Sequence, residues 1–160
     1  MRRDKVNYYL DLAEIVSQRG TCLRRRYGAV IVKMMRWYLL AMSVPREDDK
    51  TVLIGFCIRQ KLQIPRGERY ELCRSVHAEA NAIISASRDQ MIGSSLYLTG
   101  VEADTGEYVK NSNSCSMCKR MIINAGIETV YVRDDKDNYR VVKVADWIEK
   151  DESLEGTFGY

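Results

Sequence analysis

Residues 27–42 read YGAVIVKMMRWYLLAM, a stretch that contains two apolar runs separated by two methionines. The first run is YGAVIVK (27–33) and the second is RWYLLAM (36–42). Runs rich in β-branched and aromatic residues are typical of strands, and so short a connection is typical of a hairpin. The stretch therefore predicts two adjacent antiparallel strands.

A helix is predicted ahead of this hairpin. Asp4 is a good N-cap residue, and Gly20 is of the type at which helices stop. Between them, apolar side chains recur at the i, i+3, i+4, i+7 spacing of one helix face. These positions are Tyr9, Leu12, Ala13 and Val16.

A second helix and a strand are predicted farther along the chain. The helix should begin near His77, and SSLYLTG (94–100) should be the strand that follows it. The residues expected to share one face of this helix are Ala80, Ile83, Ile84 and Ser87. The mostly polar residues 43–72 precede it, and a loop of that length is usually functional or carries short helices.

A third helix should start at about Cys115 and end at Gly126, before the strand TVYVR (129–133). Its expected apolar face consists of Met117, Met121, Ile122 and Ala125. Two helix-to-strand alternations after a hairpin predict a mixed sheet with helices on its faces. The remaining segment, RVVKVADWIEK (140–150), fits either a fifth short strand or a C-terminal helix.

The bulk properties restrict the class of protein. A length of 160 residues predicts one domain over 1–160 with a substantial core, and 46% hydrophobic with 29% charged residues is typical of a soluble protein. No apolar run approaches the roughly 20 residues that a membrane span needs. The charged N-terminal segment does not resemble a signal peptide. We therefore expect a cytoplasmic protein without a membrane partner.

Cysteine number and net charge narrow the function. Five cysteines are an odd number for a chain expected in the cytosol, so thiol or metal chemistry is favoured over disulfides. The net charge of +3 is small for a nucleic-acid-binding protein, although it permits an anionic ligand.

Three residues form a candidate zinc site. Cys115 and Cys118 have the Cys-x-x-Cys spacing at a predicted helix start, which brings both sulfurs to one side of the first turn. His77 is the only histidine and also lies at a predicted helix start. Three protein ligands leave one position for water, as in catalytic zinc sites, unless one of Cys22, Cys57 and Cys73 closes the site.

Glu79 is the candidate proton carrier. It follows His77 by two residues in the same predicted turn, so its carboxylate can reach a water on the metal without ligating the metal. The order H-x-E followed by C-x-x-C matches the signature of zinc deaminases that act on nucleobases.

These motifs resemble a known family. SVHAEANAII and SCSMCKRMIINAGIETVYV look like the two halves of the active site in the zinc-dependent cytidine deaminase superfamily. CLRRRYGAVIVK and IPRGERYELCRSVHAEANAI resemble its deoxycytidylate deaminase branch, and the resemblance covers most of residues 4–133. It implies an α/β fold, a three-layer α/β/α sandwich around a five-stranded mixed sheet, usually as a homo-oligomer. It also implies zinc ligation by His77, Cys115 and Cys118, with Glu79 moving protons as water adds to C4 of cytosine and ammonia leaves.

The sequence departs from the family pattern at two places. Ser114 stands where the family usually has proline before the first cysteine, and we expect this serine to start the helix as an N-cap. Met42 stands near the position at which relatives commonly carry a sugar-binding asparagine. An apolar side chain does not replace a donor and an acceptor, so another group holds the sugar, the substrate differs, or the alignment slips.

The arginines are candidates for the nucleotide phosphate, because guanidinium groups bind phosphate in a fork. Arg26, Arg46 and Arg66 are the predicted substrate-binding residues, with Tyr70 as a base-stacking candidate, and Arg24 and Arg25 belong to the same set. Cys57 and Cys73 fit either a second metal site or buried free thiols.

The function favoured by these patterns is deamination of dCMP, or a related pyrimidine nucleotide, to dUMP and ammonia. One alternative is a deaminase acting on a base in single-stranded nucleic acid or on a free base, which a broad basic groove would favour. Another is a catalytically silent, zinc-stabilised nucleotide-binding module, against which the presence of Glu79 argues.

Overall fold

The computed structural model describes residues 2–34, 36–42, 44–45, 55–65 and 67–150. The main sheet in these ranges has five strands, namely β1 (Arg25–Lys33), β2 (Arg36–Met42), β5 (Ser95–Glu102), β6 (Thr129–Arg133) and β7 (Tyr139–Lys143). Their order across the sheet is β2-β1-β5-β6-β7. A separate two-stranded ladder joins β3 (Val44–Pro45) to β4 (Ser75–Val76).

The sheet is mixed, as predicted. β5 and β6 are parallel, whereas the other three neighbouring pairs are antiparallel. The predicted hairpin is confirmed, because β1 and β2 pair in the antiparallel sense with Gly28 opposite Met42. The strands predicted at 94–100 and 129–133 are β5 and β6, with bounds that differ by at most two residues.

The helices are α1 (Lys5–Ser17), α2 (Ile58–Lys61), α3 (Ala78–Ser85), α4 (Arg88–Met91), α5 (Ser116–Ala125) and α6 (Val144–Glu149), with a 3₁₀ turn at Tyr70–Leu72. α1 begins at the predicted N-cap, since the Asp4 carboxylate accepts a 3.0 Å hydrogen bond from the backbone N–H of Asn7. α5 ends at Gly126, whose φ of +79° is a left-handed conformation that favours glycine. None of the helices in the described ranges has the length and apolar character needed to cross a bilayer.

Two apolar cores lie on opposite faces of the sheet. Alternate residues of β1 point to opposite faces, so Val30 and Val32 contribute to one core and Ala29 and Ile31 to the other. The first core is completed by Tyr97 of β5 and by Tyr9, Leu10 and Ala13 of α1. The second is covered by buried residues of α3, α5 and α6, which include Ala78, Ala82, Ile122 and Val144. The three-layer α/β/α sandwich is therefore confirmed.

Two details differ from the sequence-based expectations. The predicted apolar face of α3 is only half correct. Ala80 is buried and Ile83 packs against the core, but Ile84 is 71% exposed and Ser87 lies beyond the helix, and the small side chains of Ala78 and Ala82 face the sheet instead. The C-terminal segment forms both structures that were considered, since β7 ends at Lys143 and α6 begins at the next residue. The valines of β7 extend the sheet, and Val144 then packs into its core.

Gly28 allows α1 to pack very close to β1. A Cβ atom at this position would lie 1.9 Å from the carbonyl oxygen of Ala13 and 2.8 Å from the backbone nitrogen of Ser17. Both are backbone atoms of α1, so no side-chain rotation makes room for a larger residue. The absence of a side chain at Gly28 sets the distance between the helix and the sheet.

Candidate metal centre and active site

The candidate metal ligands lie at the starts of two helices that cover the same face of the sheet. His77 is the N-cap of α3 and Cys115 is the N-cap of α5, both with extended backbone conformations. Neither residue uses its side chain to cap its helix. Cys118 follows in the first turn of α5 and is buried. The imidazole and both thiols are therefore available to a common point between the helix starts.

The three donor atoms converge as the sequence predicts. His77 Nδ1 lies 3.4 Å from Cys115 Sγ and 3.4 Å from Cys118 Sγ, and the three ligand atoms lie within 4.8 Å of one another. Tetrahedral zinc with Zn–S bonds of about 2.3 Å and Zn–N bonds of about 2.0 Å separates its ligand atoms by roughly 3.5 Å. One nitrogen and two sulfurs at this spacing fit zinc.

Hydrogen bonds among the three donors shift their pKa values. The pKa of the Cys115 thiol is lowered to about 4, because Cys118 donates a hydrogen bond to its sulfur and protonated His77 lies beside it. The pKa of His77 is raised to about 11 by its hydrogen bonds with Cys115 and then with Cys73. The pKa of Cys118 is raised, since that thiol is the donor to Cys115. A metal ion bound here replaces these shared protons.

Glu79 lies in the first turn of α3 and is only 4% exposed. Burial raises the pKa of its carboxyl group above the usual range. The cluster of three donors does not include Glu79. A buried carboxyl group with a raised pKa beside a metal site is a candidate for proton transfer.

One pocket opens onto this cluster. It is lined by His77, Glu79 and Cys115, by the aromatic side chains of Tyr27 and Tyr70, and by three arginines. The arginines are Arg24, Arg25 and Arg59. The remaining lining residues are Cys22, Cys57, Cys73, Ser75 and Asn113. The pocket therefore combines a metal-ligand set, a buried carboxyl group, flat apolar surfaces and positive charge.

The arginines predicted to bind phosphate do not all line the pocket. Arg24 and Arg25 line the pocket, whereas Arg26 is not among its lining residues. Arg25 is paired with Glu102 at 2.9 Å, and Arg24 makes no ion pair with any residue in the described ranges. The predicted residues Arg46 and Arg66 lie outside the described residues.

Tyr70 lines the pocket, and its ring faces a residue of the cluster; its role in stacking on a base stays a prediction. The ring centroid is 5.4 Å from that of His77 and the planes are nearly perpendicular, at 87°. The guanidinium carbon of Arg59 lies 4.3 Å from the centroid of the Tyr70 ring. Arg59 is missing from the sequence-predicted site, because a single arginine in a polar segment looks like a solvated side chain.

Two expectations about neighbouring residues are resolved by the geometry. Ser114 does not cap α5, because Cys115 occupies the N-cap position. Cys22, Cys57 and Cys73 line the pocket, but none of them belongs to the cluster of mutually close donors in the described chain. The metal-ligand set found there consists of three residues, which is the number typical of catalytic zinc sites.

Comparisons with known proteins agree with this fold and site. The dCMP deaminase of cyanophage S-TIM5 has a related structure, with a TM-score of 0.57 at 24% identity in its apo form over 94% of each chain. Its complex with dCMP and dUMP gives a TM-score of 0.56 at 23% identity, covering 96% of this chain and 94% of that one. The chain therefore has the cytidine deaminase-like fold, with a His/Cys/Cys cluster that fits zinc.

Sequence comparison identifies the family. Residues 3–133 match the family described as "Cytidine and deoxycytidylate deaminase zinc-binding region". The deoxycytidylate deaminase of Mycobacterium phage D29 is 30% identical over 134 residues, which cover 81% of this chain and 94% of that protein. The deoxycytidylate deaminase of Saccharomyces cerevisiae is 29% identical over 150 residues, 91% of this chain but 44% of the yeast protein. The chain belongs to the cytidine and deoxycytidylate deaminase family, and zinc is confirmed as the cofactor that this family and the cluster indicate.

Proposed function

We propose that the chain is a zinc-dependent hydrolase that deaminates the cytosine ring of dCMP, or of a closely related pyrimidine nucleotide, to give dUMP and ammonia. The observation that supports this best is the composition of one pocket. It brings the metal ligands His77 and Cys115, the buried carboxyl group of Glu79 and the cation of Arg24 together. The relatives named deoxycytidylate deaminase support the same substrate class.

His77, Cys115 and Cys118 would hold the zinc. Bound zinc supplies the Lewis acidity that makes water a nucleophile near neutral pH. Glu79 takes the first proton of the attacking water and delivers it to the ring nitrogen N3, and then takes the remaining hydroxyl proton and delivers it to the departing amino group. The C4–N bond breaks, a C4 carbonyl forms and ammonia leaves. The burial of Glu79 supports this role, since the raised pKa lets the carboxyl group hold the proton between the two transfers.

The phosphate would be bound by Arg24. Arg24 lines the same pocket as Glu79 and has no ion-pair partner in the described ranges, whereas Arg25 already pairs with Glu102. A guanidinium group without a carboxylate partner is suited to bind a phosphate through two parallel hydrogen bonds. The predicted roles of Arg46 and Arg66 in substrate binding stay predictions.

The test of the proposed function is an ultraviolet deamination assay of the zinc-loaded protein, with Glu79→Gln as the variant. The substrates are dCMP, CMP, deoxycytidine, cytosine and a short cytosine-containing single strand. Removal of one general acid–base group costs about 10²–10⁴-fold in rate. We expect the wild type to prefer dCMP, and Glu79→Gln to lose turnover by at least the lower figure while it retains zinc.

The matched control is Glu107→Gln, which makes the same chemical change at an exposed position and should leave turnover unchanged. Turnover of the single strand alone would show that the enzyme acts on a base in nucleic acid and not on a free nucleotide. Zinc binding without turnover of any substrate would favour a silent nucleotide-binding module. Loss of zinc in Glu79→Gln would show that Glu79 is a ligand, which would overturn its assigned role.

Two further proposals concern the whole chain. A single domain over 1–160 is supported by the C-terminal helix α6, because Val144 is buried in the core under α3 and α5 and Trp147 packs against it. Assembly as a homo-oligomer and a cytoplasmic location stay predictions of the sequence. Light scattering of the zinc-loaded protein measures the first of these.

A further inference from the structure

Arg59 is a buried cation in the wall of the site pocket. Its residue is 5% exposed, and its Nη2 donates hydrogen bonds to the carbonyl oxygens of Pro65 at 2.8 Å and Glu68 at 2.7 Å. No carboxylate in the described ranges lies within ion-pair distance of it. Burial of a guanidinium group costs free energy unless other groups compensate its charge, so its remaining contacts must supply that compensation.

The main remaining contact is with an aromatic ring. The flat guanidinium group lies over Tyr70 at 4.3 Å from the ring centroid, well inside the range of cation–π attraction. The guanidinium group thus contacts both backbone carbonyl oxygens and the face of the ring. Arg59 therefore links Pro65 and Glu68 to the position of the Tyr70 ring.

Tyr70 in turn stands edge-on to the metal ligand His77, with centroids 5.4 Å apart and planes at 87°. Such an arrangement is a favoured aromatic geometry, and it restricts rotation of the imidazole ring about its side-chain bonds. The orientation of that ring decides whether Nδ1 points at Cys115 and Cys118. Contacts of this kind, one layer removed from the ligands, commonly set metal affinity.

Arg59 is poorly placed to bind a ligand directly. Its Nε is buried and has no hydrogen-bond partner within the described part of the chain, so that a solute in the pocket does not reach this atom. Arg24 is the better candidate for an anion because its side chain is half-buried at the pocket. The contacts of Arg59 point inward, to backbone carbonyls and to Tyr70.

We propose that Arg59 is a positioning residue for the metal centre, which acts through Tyr70 to hold the His77 imidazole in its ligating orientation. The proposal concerns the zinc site of the proposed function, and its readout is zinc affinity, which does not depend on the identity of the substrate. A failure of the deamination assay would therefore leave this test valid.

The experiment is a double-mutant cycle on zinc affinity, measured by competition with a chromogenic chelator. Arg59→Met and Tyr70→Leu keep the approximate side-chain volumes and remove the charge and the ring. Loss of an outer contact of this kind typically lowers metal affinity by about 10–100-fold. We expect zinc affinity to fall about tenfold in each single variant. In Arg59→Met/Tyr70→Leu the total loss should also be about tenfold, not a hundredfold, because both changes interrupt the same contact path.

Two further variants separate positioning from a purely structural role. Tyr70→Phe keeps the ring and should bind zinc within twofold of the wild type. Arg133→Met removes a second buried arginine, which is paired with Asp11 on the other side of the sheet. It should lower the melting temperature without lowering zinc affinity. Where Arg59→Met folds poorly, Arg59→Lys serves instead, since a lysine does not span both carbonyls and the ring face.

Additive effects, with a loss near a hundredfold in the double variant, would show that Arg59 does not act through Tyr70. Unchanged zinc affinity in folded Arg59→Met or Arg59→Lys would equally overturn the proposal. A loss of zinc affinity in Arg133→Met as large as that in Arg59→Met would reduce the effect to general destabilisation.

Discussion

Replacement of Gly28 by alanine tests the close packing of α1 on the sheet. The new Cβ would lie 1.9 Å from the Ala13 carbonyl oxygen, whereas ordinary van der Waals contact begins at 3.4 Å. The helix must therefore move by about 1.5 Å, the difference between these distances. Since the atoms in conflict belong to the backbone, the whole helix moves instead of one side chain.

The cost follows from the core under α1. A movement of that size separates Leu10 and Ala13 from Val30 and Val32, and a gap of 0.5–1 Å already removes about a quarter to a half of the dispersion energy of a contact. Overpacking of a rigid core typically costs about 1–3 kcal/mol. We expect Gly28→Ala to reach or exceed the upper figure, a large share of the stability of a domain of this size.

The assay is urea unfolding at fixed free zinc, because bound metal shifts apparent stability. Gly106→Ala is the control. Apart from its chain neighbours, no atom of the described residues lies within 4 Å of the added Cβ, and its φ of +73° alone should cost about 1–2 kcal/mol. Ala13→Gly should not rescue Gly28→Ala, since the conflict is with a backbone oxygen. A Gly28→Ala variant as stable as the wild type, or one rescued by Ala13→Gly, would refute the reasoning.

Three further outcomes are expected. Arg24→Gln should raise KM for dCMP by about tenfold or more and leave KM for deoxycytidine unchanged, whereas Arg26→Gln should affect neither; equal effects on both substrates would contradict phosphate binding. Chelation of zinc, or Cys118→Ser, should lower the melting temperature, because the metal joins two helix starts; an unchanged transition would argue against that link. The backbone and side-chain N–H groups of Asn7 lower the pKa of Asp4, so its stabilising effect is complete above the unfolded pKa of about 3.9 and is lost as the pH falls through the lower folded value. Asp4→Asn should therefore be less stable than the wild type at pH 7, and this difference should disappear in acid.

Much of the fold and of the cluster could be predicted because the signals are local. The strand TVYVR is a short run rich in β-branched residues, and it is found at the predicted residues. Cys115 and Cys118 lie in one helix turn, so their spacing alone brings them together. The convergence of His77 with them is the arrangement that the H-x-E and C-x-x-C signature of zinc deaminases predicts.

The failures concern packing that the local sequence pattern does not show. Ile84 has the composition of a core residue, yet α3 is only eight residues long and approaches the sheet through Ala78 and Ala82. Small side chains permit that close approach and leave the isoleucine in solvent. Arg59 is buried by contacts with Pro65, Glu68 and Tyr70, and the composition of this polar stretch does not show that the chain folds back onto the arginine.

The separation of the ligands along the chain has a consequence for metal binding before folding. Cys115 and Cys118 remain neighbours in a disordered chain, but His77 lies 38 residues before the first of them. Closing a flexible loop of that length costs about 3 kcal/mol in chain entropy beyond a constant term. An unfolded chain therefore captures a metal ion with the two thiolates first, and the histidine nitrogen joins only when folding has brought the two helix starts together. His77 is the ligand through which the ion distinguishes the folded chain from the unfolded one.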